Sequence, residues 1–126
     1  MNEPQLLVLD DHANTRLLIT HVCPSSWHLT HCATCAEAYA ALTTQRFDLL
    51  MLDIRLPDGS GIDVLHFARS NPDSCNDDVP AVAITAVGYP DPKARLLRKG
   101  FDAYLPKPFV QSEVMTLFYK HKLMQP

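Results

Sequence analysis

The chain has 126 residues, 47% of them hydrophobic and 20% charged, with a formal net charge of −3. That is room for one ordinary globular domain, large enough to hold together without disulfide or metal staples and too small for two. No apolar run approaches the ~18 residues of a membrane span, Met1-Asn2-Glu3-Pro4 lacks the basic and apolar regions of a signal peptide, and the acidic balance argues against a nucleic-acid-binding surface.

Strand and helix signals alternate along the chain. Leu6-Leu7-Val8-Leu9 is a short apolar run ending in Asp10-Asp11, the pattern of a buried central strand. Asn14 to Val22 carries Leu18, Ile19 and Val22 at helical spacing and stops before Pro24. Trp27 to Ala33 alternates and predicts a second strand, and Glu37 to Arg46 predicts a helix. Leu49-Leu50-Met51-Leu52 predicts a third strand, again ending in an acid, Asp53. The cluster Leu56-Pro57-Asp58-Gly59-Ser60-Gly61 predicts a turn, and Ile62 to Ala68 a helix. A polar loop from Asn71 to Asp78 leads to a fourth strand, Ala81-Val82-Ala83-Ile84, closed by Thr85. After the loop Val87-Gly88-Tyr89-Pro90, Asp91 is placed as an N-cap with Pro92 in the first helical position and Gly100 as the stop. Ala103-Tyr104-Leu105 predicts a short fifth strand before Lys107-Pro108, and Val110 to Leu123 a last helix. Alternation of this kind predicts an α/β fold, a parallel sheet between two layers of helices.

Ligand sites in such sheets lie beyond the carboxyl ends of the strands. There the chain places Asp10 and Asp11, Asp53, Thr85 and Lys107. Three carboxylates crowded at one edge repel one another unless a cation shares the site, and Mg²⁺ suits oxygen donors of this kind. A lysine and a hydroxyl add a second positive group and a donor. That set suits a phosphoryl group, with a carboxylate as the nucleophile that meets phosphorus. Each residue alone has a plainer reading: a strand-end Asp as a turn residue, Lys107 as a surface charge, Tyr104 as a half-buried strand aromatic.

Taken in order, these residues resemble the receiver domain of two-component response regulators over nearly the whole chain. The matching motifs are Asp10-Asp11, Leu52-Asp53-Ile54-Arg55-Leu56-Pro57, Gly61, Thr85-Ala86, and Gly100 through Tyr104-Leu105-Pro106-Lys107-Pro108-Phe109. The resemblance implies the (βα)5 flavodoxin-like sandwich, a five-stranded parallel sheet of order 2-1-3-4-5. It implies that Asp53 accepts a phosphoryl group from a phosphohistidine on a sensor histidine kinase or a histidine phosphotransfer protein. By the same resemblance Asp10, Asp11, Asp53 and the Arg55 backbone carbonyl would hold Mg²⁺. Lys107 would pair with Asp53 and then with a phosphoryl oxygen, and Thr85 would turn its hydroxyl toward the phosphoryl group while small Ala86 leaves it room. Tyr104 would follow Thr85 inward as an aromatic switch, changing the face made by the fourth helix, fifth strand and fifth helix, where a downstream protein target binds. The first helix, with Arg16 and Leu18, would be the donor's docking edge. The Lys107-Pro108 bond is expected to be cis. The expected setting is cytoplasmic, as a monomer or a phosphorylation-dependent dimer, with residues 1–126 forming one receiver domain and no output domain.

Some residues depart from the family pattern. Arg55 occupies a variable position and could ion-pair with Asp58 or an incoming phosphoryl group, which would alter the lifetime of the phosphorylated state. Ala36 stands where glycine is common, and Leu96 replaces a small residue, so the fourth helix is expected to pack at a shifted angle. Two prolines should stiffen the loop Gly88-Tyr89-Pro90-Asp91-Pro92, and His12 reads as a solvated loop residue near the site entrance. Cys32 and Cys35 form a C-x-x-C after His28 and His31, but no second ligand pair stands at suitable spacing, so a redox or zinc site is not expected.

Rival readings fit less well. A phosphatase of the haloacid-dehalogenase type also uses a strand-end Asp and Mg²⁺, but needs a second acid two residues on, where this chain has Arg55. A flavodoxin needs a hydroxyl- and glycine-rich loop where Asp10-Asp11-His12 stands. A phosphorelay intermediate, a receiver excised from a hybrid kinase, and a receiver that acts by protein contact without phosphorylation remain as variants of the main reading.

Overall fold

The computed structural model describes residues 3–86 and 92–124. In chain order the elements are β1 (Gln5–Leu9), α1 (Ala13–Val22), β2 (His28–Cys32), α2 (Cys35–Thr44), β3 (Leu49–Asp53), a short hairpin of β4 (Arg55–Leu56) and β5 (Gly59–Ser60), α3 (Gly61–Ser70), β6 (Ala81–Thr85), α4 (Pro92–Arg98), β7 (Ala103–Pro106) and α5 (Gln111–Lys120). Five strands pair in parallel in the order β2-β1-β3-β6-β7, which is the expected 2-1-3-4-5 with the hairpin set aside.

The central strands are apolar over Leu6–Leu9, Leu49–Leu52 and Ala81–Ile84 because both faces of the sheet are covered. Alternate side chains then serve opposite layers. Leu7, Leu9, Leu50, Leu52, Ala81 and Ala83 pack with the buried residues of α2, α3 and α4. Leu6, Val8, Leu49, Met51, Val82 and Ile84 pack with Ile19 of α1 and Val114, Leu117 and Phe118 of α5. Trp27 closes the second layer against Phe118, with ring centroids 5.1 Å apart. Leu96 of α4 is fully buried in the first layer.

Several boundaries differ from the sequence expectation, each for a local reason. Helix α2 starts at Cys35 and not Glu37, because the Thr34 hydroxyl accepts from the Glu37 N–H while the Glu37 carboxylate accepts from the Ala33 N–H. Ser60 caps α3 by accepting from the Ile62 N–H. The predicted turn at 56–61 closes as the β4–β5 hairpin, with Arg55 opposite Ser60. Helix α5 ends at Lys120, short of Leu123. Gly100 stops α4 at φ 106°, a left-handed conformation that favours glycine, and Lys107-Pro108 is cis. The predicted cap Asp91 and the loop 87–91 lie outside the described residues. No helix among the described residues is long and apolar enough to cross a membrane.

Candidate functional site

Parallel pairing delivers every strand's carboxyl end to one edge. Because β1 and β3 are neighbours, Asp10, one residue past β1, comes beside Asp53, the last residue of β3. Asp53 pairs in register with Ile84, one residue before Thr85, and Thr85 pairs with Pro106, one residue before Lys107. The Lys107 N–H donates to the Thr85 carbonyl at 2.7 Å, which anchors the loop carrying the lysine.

The acidic pair after β1 is held by its own backbone. Asp10 is fully buried. Its N–H donates to the Cys32 carbonyl at 3.0 Å, its Oδ1 accepts from the His12 N–H at 2.8 Å, and the Arg16 guanidinium donates to its carbonyl at 2.6 Å. Asp53 is also buried, and its Oδ1 accepts from the Arg55 N–H at 3.2 Å. The backbone just beyond Asp53 is shaped by Gly61, where a Cβ would overlap the Asp53 carbonyl oxygen.

Lys107 Nζ lies 2.9 Å from Asp10 Oδ2 and 3.4 Å from Asp53 Oδ2, so one ammonium serves two buried carboxylates. Burial and the neighbouring Asp10 push the Asp53 carboxyl up to about 6, against the pull of Lys107 and the Arg55 N–H. For Lys107, burial works to lower the pKa, but the Asp10 and Asp53 carboxylates outweigh it and leave it raised. The site is therefore short of positive charge. A divalent cation would supply it, and the donors fit one: carboxylate oxygens of Asp10, Asp11 and Asp53 lie, with a ring nitrogen of His12, within 4.8 Å of one another. Oxygen donors of this type are what Mg²⁺ takes. The Thr85 hydroxyl is buried with no hydrogen-bond partner among the described residues. An orphaned hydroxyl costs about 1–3 kcal/mol, which an incoming oxygen would relieve.

Of the residues singled out from the sequence, Asp10, Asp11, Asp53 and Lys107 come together, with Thr85 at the adjoining strand end. Tyr104 sits on β7, half-buried against the layer that contains Leu96 of α4, away from the acids. Arg55 reaches Asp53 through its backbone N–H, while its side chain is exposed. The expected Arg55–Asp58 ion pair is not formed: the Asp58 carboxylate turns to α2 and accepts from the Cys35 and Ala36 N–H groups at 2.8 and 3.1 Å. Those hydrogen bonds, the Cys35 one first, hold Asp58 below the usual carboxylate range. Leu18, Ala86, Lys107 and Phe109 help line an open cleft of about 450 Å³ beside the acids, whereas Arg16 is committed to Asp10. Cys32 and Cys35 are free and buried, and burial pushes both thiols up to about 11, so neither is a reactive thiolate.

His12 is the residue that sequence reasoning undervalued. It is exposed, but its Nδ1 lies 3.3 Å from Asp10 Oδ1, 3.3 Å from Asp11 Oδ1 and 3.3 Å from Lys107 Nζ. Its only signal in the sequence is its place directly after the acid pair.

The response regulator receiver domain family matches residues 6–119 of the chain. The probable transcriptional regulatory protein TcrX of Mycobacterium tuberculosis is 34% identical over 111 residues, covering 87% of this chain and 46% of TcrX. The chain thus spans about half the length of the curated relatives it matches. Among solved structures, the signal receiver domain of a putative LuxO repressor protein from Vibrio parahaemolyticus superposes with a TM-score of 0.83 at 26% identity, covering 94% of this chain and 89% of that one. The receiver domain of the sensor histidine kinase PA1611 from Pseudomonas aeruginosa PAO1 gives 0.79 at 25% identity, covering 94% and 96%, and was solved with a magnesium ion coordinated in its active site cleft. The match begins in β1 and runs through most of α5, so the strand-end acids, the parallel sheet and the lysine loop all fall inside it, and the chain belongs to the receiver domain family of two-component response regulators.

Proposed function

We propose that this receiver accepts a phosphoryl group on Asp53 from a phosphohistidine donor, with Mg²⁺ held by Asp10, Asp11, Asp53 and the Arg55 carbonyl. The observation that carries the reading is the Asp53 carboxylate. It is buried, raised to about 6, fixed at one oxygen by the Arg55 N–H, and only 3.4 Å from Lys107 Nζ at the other. One Asp53 oxygen forms the new P–O bond as the donor's N–P bond breaks, and the electron pair of that bond returns to the donor imidazole. When bound, Mg²⁺ supplies positive charge for the phosphoryl oxygens. Lys107 turns from Asp10 and Asp53 to a phosphoryl oxygen, and the Thr85 hydroxyl, without a partner among the described residues, donates to another.

Movement of Thr85 is read as drawing Tyr104 inward and changing the face of α4, β7 and α5 that a downstream protein recognises. The donor is a sensor histidine kinase or histidine phosphotransfer protein that docks along α1 and the cleft at Leu18. The whole chain, residues 1–126, is read as one cytoplasmic receiver domain, monomeric or dimerising on phosphorylation. Two residues past Asp53, where a hydrolytic partner acid would stand, the chain has the exposed Arg55, which favours a phosphoryl group held over one rapidly hydrolysed. Slow autodephosphorylation is the only turnover expected.

Intact-mass analysis after incubation with acetyl phosphate and Mg²⁺ tests the chemistry. Wild type should gain one phosphoryl group and Asp53→Ala none. Adducts on both proteins, or on neither, defeat the reading and leave a receiver that acts by protein contact.

A further inference from the structure

We infer that His12 supplies a nitrogen ligand to the cation held by Asp10, Asp11 and Asp53, which shifts the site's preference from Mg²⁺ toward Mn²⁺, Co²⁺ and Ni²⁺. The inference rests on reading the acid cluster as a divalent cation site. It concerns which ion that site prefers and which residue decides.

An octahedral ion with bonds of about 2.1 Å sets neighbouring ligand atoms about 3.0 Å apart and opposite ones about 4.2 Å apart. His12 Nδ1 lies 3.3 Å from a carboxylate oxygen of Asp10 and 3.3 Å from one of Asp11, close to the spacing of neighbouring ligands. The widest separation in the set that includes Asp53 is within 4.8 Å, at most about 0.6 Å beyond the spacing of opposite ligands. The ring is also placed by its backbone. The His12 N–H donates to Asp10 Oδ1 at 2.8 Å, and the residue is the N-cap of α1 in extended conformation, so its backbone is fixed beside the carboxylates that Nδ1 approaches.

The chemistry follows from the donor set. Three carboxylates alone are a hard oxygen site that suits Mg²⁺. Adding an imidazole nitrogen favours ions that bind nitrogen well, and affinity then rises from Mn²⁺ through Co²⁺ to Ni²⁺. For Mg²⁺ a water replaces the nitrogen with little loss, so His12 should matter for one class of ion and not the other. Lys107 Nζ also stands 3.3 Å from Nδ1, and a histidine that only links Lys107 to the acids would show no such split.

Calorimetric titration of wild type and His12→Ala with Mg²⁺ and, separately, Ni²⁺ tests this, with an Asp10→Asn/Asp11→Asn/His12→Ala variant, which lacks the acid pair and the imidazole, giving the background from the chain's other histidines. His12 is exposed, so its truncation should leave the fold intact. His12→Ala should weaken Ni²⁺ binding roughly tenfold or more and change Mg²⁺ binding less than about threefold. Equal changes for the two ions, or no change for Ni²⁺, overturn the inference. Pulsed electron paramagnetic resonance of the Mn²⁺-loaded protein is a second readout. It should show an imidazole nitrogen coupling in wild type that is lost in His12→Ala, and bound Mn²⁺ without that coupling also overturns it. A wild type that takes up neither Mg²⁺ nor Mn²⁺ removes the cation site itself and overturns both readings, a result distinct from a site that binds Mg²⁺ while its Ni²⁺ affinity ignores His12, which overturns this inference alone.

Discussion

In the metal-free protein, Asp53→Asn should stabilise the fold. Burial and the adjacent Asp10 raise the Asp53 carboxyl from 3.8 to about 6. A rise of that size corresponds to about 3 kcal/mol between the protonated and ionised forms. The folded state then binds more protons than the unfolded state between 3.8 and about 6. Stability from this group is complete below the lower value and is lost as pH climbs through the upper one. Asparagine keeps the shape of the protonated acid and cannot ionise. The value of about 6 already includes the pull of Lys107, and an amide reproduces the hydrogen bonds of a protonated acid only in part, so the net gain at pH 7 is expected between about 1 and 3 kcal/mol, or roughly 3 to 10 °C in Tm for a domain of this size. Thermal melts in EDTA from pH 4 to pH 8 provide the assay: the two proteins should melt together near pH 4 and separate as pH rises. Saturating Mg²⁺ should shrink or reverse the gap, because the ion binds the folded wild type more tightly than the variant. A variant less stable than wild type at pH 7 in EDTA, or a gap that ignores pH, refutes the charge argument.

Three further outcomes follow from the same geometry. Lys107→Ala leaves Asp10 and Asp53 without their shared cation, so urea unfolding of the metal-free protein at pH 7 should show a loss of about 2 kcal/mol or more, with acetyl phosphate adduct formation largely abolished. A smaller loss at pH 5 than at pH 7 is required. Gly61→Ala drives a methyl group into the Asp53 carbonyl and should cost about 1–3 kcal/mol while slowing adduct formation; unchanged stability and rate would contradict the close approach. Arg55→Ala should change the decay rate of the phosphorylated state, followed by intact mass, with little change in thermal stability, since the side chain is exposed and the Asp53 contact is made by the backbone.

The strands were legible because a parallel strand covered on both faces must be apolar along its length. Runs such as Leu6–Leu9 and Leu49–Leu52 therefore stand out between polar helical segments. The acids that close them were legible for the same reason, as the first polar residues after a buried run. Local signals failed where the partner is distant in the chain. Asp58 reads as a turn residue, yet it caps α2 from 22 and 23 residues away, and no spacing rule announces that. Asn76, in a loop that looks solvated, is fully buried; it donates to the Leu42 and Gln45 carbonyls and accepts from the Phe47 N–H. The β4–β5 hairpin is too short to carry a pattern.

By itself, then, the sequence determined an alternating α/β chain, the residues ending each buried run, and through their motifs the family to which the chain belongs. Those properties depend on residues close together in the chain. The tertiary structure decided which strand ends are neighbours, and with that the electrostatics of the site. Pairing β1 with β3 sets Asp10 against Asp53, and closing the sheet with β6 and β7 brings Lys107 back to both. It also turned His12 from a loop residue into a neighbour of three charged groups. Charge interaction and burial depend on distance in space, and distance in space is what the order of residues alone does not contain.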